Sequence, residues 1–280
     1  MNATFDQRDA QTMSADSKIG LLATIDEAGS PHISFLSSLQ PFGLNALTVG
    51  QFCEGLSKQF MVERRQVGFL FFSPAMEIWR GRALYDRSVR SGPEFEMYNR
   101  KPMFRYNSYF GIGIVHYFKL VDVSDKEILS KGAIVGGALK TRVVVPFASL
   151  SDKGALNEIS KRMFSEIDGL KFISYIDSEG YPCLVPVIQA ANAGRDRVVF
   201  SLNPYHRELL KIPAGADVAV LFVNLKMESV LIKGVYSLSG SALLPYGTVS
   251  IERVYNSMPP QPQYIYPRQR EHQKVVEFLV

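Results

Sequence analysis

The 280-residue chain is poor in the residues that build staples, metal centres and membrane spans. It has two cysteines, Cys53 and Cys183, far apart and without metal-ligand spacing, which argues against a disulfide scaffold and against a zinc site. Only four histidines are present. No apolar run approaches the ~20 residues that a spanning helix needs. The N-terminal stretch MNATFDQRDAQTMSADSK lacks the apolar centre of a signal peptide. The net charge of +4 is modest, and the Lys and Arg residues are neither gathered into a block nor interleaved with aromatics. Nucleic acid and membrane are therefore not expected as partners, and the cytoplasm is the expected location. Mild basicity does suit a site for a phosphorylated small molecule.

What is present is the balance of an ordinary globular protein. Hydrophobic residues make up 46% and charged residues 21%, which argues against disorder. The length exceeds that of one small domain and suits two.

The chain repeats itself. GLLATIDEAGSPHISFLSS, from Gly20, reads as strand, Asp-Gly turn and strand; KFISYIDSEGYPCLVPVIQ, from Lys171, has the same plan. Ile25-Asp26 falls on Ile176-Asp177, Gly29 on Gly180 and Pro31 on Pro182, a constant offset of 151. The same offset carries Leu47-Thr48 onto Val198-Val199 and GFLFFS (68–73) onto AVLFVN (219–224). Arg80-Gly81 resembles Lys233-Gly234 at an offset of 153, which predicts a two-residue hairpin insertion. One supersecondary unit occurs twice. Several short strands, turn signals and one small helix per unit predict a mainly β protein, a pair of β-barrels with short helices.

The expected organisation is a first barrel over 1–124, a connector over 125–156, a second, diverged barrel over 157–254 and a proline-rich tail over 255–280. The connector stretch RVVVPF reads as strand-prone, and the apolar end VVEFLV is expected to dock on a body or a neighbouring subunit. In copy one the helix is expected near Glu54 to Arg65, with Leu56 and Phe60 on one face. In copy two, Asn203-Pro204 reads as an N-cap with proline at the first helical position.

A phosphate-sized anion has one candidate place. In TVGQFCEGLSKQF, from Thr48, a strand ends, Gly50 and Gly55 make a turn, and Ser57-Lys58 opens the helix. Helix starts offer unpaired N–H groups and partial positive charge, and a hydroxyl and an ammonium would complete the site. The alternative is that Ser57 only caps the helix and Lys58 is solvated. Copy two has Glu208-Leu209 at the matching positions, a repulsive carboxylate that His206, Arg207 and Lys211 could offset. His32 and Ser34 alternate along one strand and share a face. Trp79-Arg80 sits on a strand where the arginine could meet a phosphate or a ring carbonyl, or simply face solvent. Tyr106, Asn107 and Tyr109 could flank a flat ring, although such aromatics are more often core or interface. Gly111-Ile-Gly113 lacks the third glycine of a dinucleotide fingerprint, and Gly55-Leu-Ser57 lacks the closing glycine of a nucleophile elbow. No side chain reads as a catalytic acid or base.

The segments LLATIDEAGSPHISFLSS, GLSKQFMVERRQVGFLFF and EIWRGRA, within about residues 15–122, resemble the pyridoxamine 5′-phosphate oxidase-like, FMN-binding split-barrel superfamily. Residues 157–240 match it in strands and turn. The resemblance implies two tandem split barrels, FMN at a subunit interface, and the cofactor-binding set His32, Ser34, Gln51, Ser57, Lys58, Trp79 and Arg80. It implies a flavoprotein oxidoreductase acting on a small-molecule substrate. The other reading is a non-catalytic module of the same fold for haem, a deazaflavin or another flat cofactor, with His116 or His206 as axial ligand. The arginine-lysine strand motif of the true pyridoxamine phosphate oxidases is replaced by His32, Ser34 and Leu36, which speaks against vitamin B6 oxidation. Association is expected either as a homodimer or as an internal pseudo-dimer.

Overall fold

The computed structural model describes residues 2–51, 55–101, 111–148, 154–166, 169–224, 226, 228–241, 243–256 and 263–267. Cys53, Tyr106, Asn107, Tyr109 and the VVEFLV end lie outside them.

Copy one opens with α1 (Gln7–Met13), capped by the Asp6 side chain. There follow β1 (Ile19–Ile25), β2 (Pro31–Phe35), β3 (Gln40–Phe42), β4 (Ala46–Gln51), α2 (Leu56–Glu63), β5 (Gln66–Phe72), β6 (Glu77–Val89), α3 (Pro93–Arg100) and β7 (Ile114–Val123). A short β8 (Glu127–Ile128) and the long α4 (Lys131–Ala148) lead to copy two. That copy has α5 (Glu158–Ser165), capped by Asn157, then β9 (Leu170–Ile176), β10 (Pro182–Pro186), β11 (Ala191–Ala193), β12 (Arg197–Ser201), α6 (His206–Leu209), β13 (Asp217–Val223), β14 (Ser229–Ser241), β15 (Leu244–Asn256) and β16 (Gln263–Tyr266). The strand orders are the same, β2-β1-β5-β6-β7-β4-β3 and β10-β9-β13-β14-β15-β12-β11. All the pairings are antiparallel. Both hairpin turns place their glycine at positive φ, 85° at Gly29 and 82° at Gly180.

Register corrects the sequence alignment at one point. Leu70 faces Arg80 and Gly68 faces Arg82, while Leu221 faces Leu231 and Ala219 faces Lys233. The offset therefore stays at 151 through this hairpin, with no insertion, and the partner of Lys233 is Arg82 rather than Arg80. The insertion falls one connection later. Leu84 pairs Lys119, and Val235 pairs Ser250, so the offset drops to 131. Copy one thus carries 20 extra residues between β6 and β7, including α3, where copy two makes a tight hairpin from Ser241 to Leu244.

Two further expectations fail for physical reasons. RVVVPF is helical, as part of α4. Gly137, Thr141, Val144 and Ala148 recur at helical spacing and bury against copy two, and this tertiary packing outweighs the strand preference of the valines. Asn203-Pro204 does not start a helix. Its peptide bond is cis, and the single turn α6 begins at His206 after Tyr205, with no side-chain cap.

Why the strands read as unbroken apolar runs follows from the packing. Val67, Phe69 and Phe71 fill the core of barrel one, whereas Leu70 and Phe72 on the opposite face of β5 meet copy two. Likewise Val218, Val220 and Phe222 fill barrel two, and Ala219, Leu221 and Val223 point back at copy one. Strands buried on both faces have no reason to alternate. The shared layer includes Leu21, Ile33, Leu70, Phe72, Phe172 and Leu221. Each such side chain removed from water contributes roughly 1.5–3 kcal/mol, so together they match the net stability of a whole domain, about 5–15 kcal/mol. The two copies form an internal pseudo-dimer.

Polar contacts across this layer are reciprocal. Lys233 donates to Asp26 at 2.6 Å, and its counterpart Arg82 donates to Asp177, the counterpart of Asp26, at 3.3 Å. The Lys233–Asp26 pair is buried, at 2% and 5% side-chain exposure. Gly68 lies so close to β10 that a Cβ there would overlap the Pro182 carbonyl. Lys233→Met, which leaves Asp26 buried with Arg253 at 3.6 Å as its remaining cation, is expected to destabilise by about 3–5 kcal/mol. Gly68→Ala is expected to cost about 1–3 kcal/mol by forcing the barrels apart. Urea unfolding at pH 7 measures both.

Candidate functional site

The start of α2 is the candidate anion cradle. Gly55 stands at the N-cap in extended backbone, and no side chain among the described residues caps the helix. Among the described residues no side chain accepts from the first amides of α2, at the end where the helix dipole is positive, and the Lys58 amide donates to Gly55 O at 3.0 Å. Ser57 is 2% exposed. The Lys58 side chain folds back over this end, with its ammonium 3.4 Å from where a Cβ on Gly55 would sit.

Two imidazoles flank the cradle. His116, on β7 opposite Val49, meets Gln51 Oε1 through Nε2 at 2.7 Å. Burial, with the charge of Lys58 second, lowers its pKa to about 4. His32, on β2, is buried between Phe60 of α2 and Tyr255 of copy two, with ring centroids 5.4 and 5.1 Å away. Burial holds His32 well below the usual imidazole value, and Lys233, Lys58 and Arg253 add to that effect. Its Nδ1 is buried with no hydrogen-bond partner. Both rings are thus neutral near pH 7, with Lys58 nearby and with Lys233 and Arg253 of the second copy paired to Asp26. Ser34 follows on the same face of β2 and is nearly buried.

The structure therefore brings His32, Gln51, Ser57 and Lys58 together around the start of α2, with Ser34 along the same strand. It does not bring Trp79 or Arg80 there. Trp79 is 2% exposed and packs in the core of barrel one with Phe69 and Phe71. Arg80 points the other way, across the interface. It is held by Glu127 at 2.9 Å and by Glu208 at 2.7 Å, and it stacks over Tyr205 at 5.1 Å. Adjacent strand residues face opposite sides, so Trp79 and Arg80 could not both line one pocket. Sequence reasoning missed Tyr255, Lys233 and Arg253, which come from the other copy, and gave His116 only a haem-ligating part. A lysine on the strand equivalent to that of Arg82, opposite a turn aspartate, was the available signal.

No protein-family model matches the chain, and no curated protein does either. Among solved structures it is similar to an FMN-binding protein from Syntrophomonas wolfei, at 15% identity over 44% of this chain and 90% of that one, with a TM-score of 0.34. It is similar to HupZ of Group A Streptococcus, at 12% identity over 42% and 91%, TM-score 0.34. A heme binding protein from Mycobacterium smegmatis aligns across both copies, at 11% identity over 83% and 89%, TM-score 0.31. Identities and TM-scores of this size carry no inference about the chemistry of this chain. Its own strand order and paired barrels define the class: two split barrels in tandem, of the type the sequence resembles. No helix among the described residues is long and apolar enough to cross a membrane.

The low pKa of His116 has a stability consequence. Between its ordinary value of 6.5 and about 4 the unfolded chain binds the proton and the folded chain does not. The stabilisation is complete above pH 6.5 and is lost as pH falls toward 4; His32 acts in the same direction. The urea midpoint is expected to drop from pH 6.5 to 5, and His116→Gln is expected to flatten that drop. A wild-type midpoint that is constant over this window contradicts the assignment.

Proposed function

We propose that the chain is an FMN-binding flavoprotein and that the flavin serves an oxidoreductase reaction on a small molecule. The observation that carries this reading is the start of α2, which has no side-chain cap among the described residues, with the Lys58 ammonium folded over Gly55 and Ser57 buried in its first turn. A dianionic phosphate there would meet oriented amides, a hydroxyl and an ammonium, the set that binds such groups most strongly. The residues fit the group in a second respect. His32 keeps a buried ring nitrogen without a partner beside the cradle, and Tyr255 from the other copy lies against it.

In this reading Ser57, Lys58 and the first amides of α2 hold the phosphate, and His32, Ser34 and Gln51 border the ring. His116 fixes the Gln51 amide through the 2.7 Å contact. Tyr255 closes one side, so the site needs both copies of the fold but only one chain. Bound FMN supplies the redox chemistry, while the protein supplies position and field. The Lys58 ammonium favours the doubly charged phosphate over a neutral flavin, whereas Lys233 and Arg253 are held by Asp26. The haem alternative is weaker at His116, whose Nε2 is already engaged by Gln51.

The test is a titration of the purified chain with FMN and with riboflavin, followed by flavin absorbance and fluorescence. FMN is expected to bind more tightly than riboflavin. Lys58→Ala and Ser57→Ala are each expected to weaken FMN by about tenfold or more while leaving riboflavin nearly unchanged. Equal affinity for the two flavins, or FMN binding indifferent to Lys58, contradicts the proposal.

A further inference from the structure

We propose that copy two carries a second small-molecule site, for a phosphate monoester with an apolar body, in the cavity between α4, the end of β12 and α6. The cavity has a volume of about 710 Å³, inside the range typical of small-ligand sites, roughly 300–1,000 Å³. Three basic side chains line it, Lys140 from α4 and His206 and Arg207 from α6. Among the described residues none of the three has a carboxylate partner. Leu243 and Leu244 form an apolar wall, and Leu243 is 97% exposed. An apolar ligand body would cover this leucine.

Glu208 also lines the cavity and stands where copy one has Ser57, so it would repel an anion. The structure removes that objection. Arg80 crosses from copy one and takes both carboxylate oxygens, Oε1 through Nη2 at 2.7 Å and Oε2 through Nη1. Glu127 holds the far edge of the same guanidinium. Arg80, Glu127 and Glu208 together keep a single negative charge, which Lys140 and Arg207 outnumber before His206 is counted. Arginine adds a planar fork that matches phosphate oxygens in pairs. The site shares no side chain with the α2 cradle and stands or falls independently of it.

The experiment is calorimetric titration with phenyl phosphate of the full chain carrying Lys58→Ala, so that the α2 cradle does not contribute. Saturable one-to-one binding is expected, weakened about tenfold by Lys140→Gln and by Arg207→Gln. Phenol, with the same body and no phosphate, is expected not to bind. Arg80→Gln is expected to weaken binding by releasing the charge of Glu208, and adding Glu208→Gln is expected to restore it. Glu208→Gln alone must bind phenyl phosphate at least as tightly as its parent, a requirement that holds even if Arg80→Gln fails to fold. Absence of saturable binding overturns the proposal, as does an affinity unchanged in the Lys140→Gln/Arg207→Gln double variant or weakened by Glu208→Gln.

Discussion

The face-to-face packing of the two barrels is the constraint on which the rest of the molecule depends. It buries the second face of β1, β5, β9 and β13, strands that a lone barrel would leave half wet. A layer of leucine, isoleucine and phenylalanine supplies the free energy, and the reciprocal pairs Lys233–Asp26 and Arg82–Asp177 fix the register. Buried ion pairs add little net stability but penalise every arrangement that would separate their members. Two copies of one fold held in this way behave as a two-fold dimer written into one chain, each reaching into its neighbour with equivalent strands.

Covalent linkage frees the halves to diverge, and they have. Copy one keeps an eight-residue α2 with serine and lysine at its start and adds 20 residues between β6 and β7. Copy two reduces the matching helix to a single turn, replaces Ser57 with Glu208 and closes the same connection as a tight hairpin. The divergence is compensated across the interface rather than within each copy. Lys233 and Tyr255 of copy two complete the surroundings of His32, and Arg80 of copy one neutralises Glu208. The charge logic of either end of the molecule cannot be stated for one copy alone.

Most of the fold was legible in the sequence because it is local and occurs twice. The Asp26 and Asp177 turns, the paired glycines and the runs GFLFF and AVLFV announce strands and hairpins at a fixed spacing. The α2 start was legible only as a strand-to-helix turn, because glycine, serine and lysine there suit a plain cap with a solvated lysine as well as an anion site. What was not legible is non-local. Nothing in WRGR says that Trp79 turns into a barrel and Arg80 toward another domain, because strand direction is set by packing. The valines of α4 looked like a strand until Gly137, Thr141, Val144 and Ala148 found a surface at helical spacing. The slip at Arg80 and Lys233 arose from matching residue types where only ladder register distinguishes Arg80 from Arg82.

The central claim is that a phosphate is received at the start of α2 and that the second copy completes the site around the attached ring. A crystal structure of the chain grown with FMN tests it most directly. The account predicts phosphate oxygens within hydrogen-bond distance of Ser57 Oγ and Lys58 Nζ, with the ring bordered by His32 of one copy and Tyr255 of the other. Flavin density seated elsewhere, or a phosphate facing solvent with Lys58 turned away from it, would contradict the account.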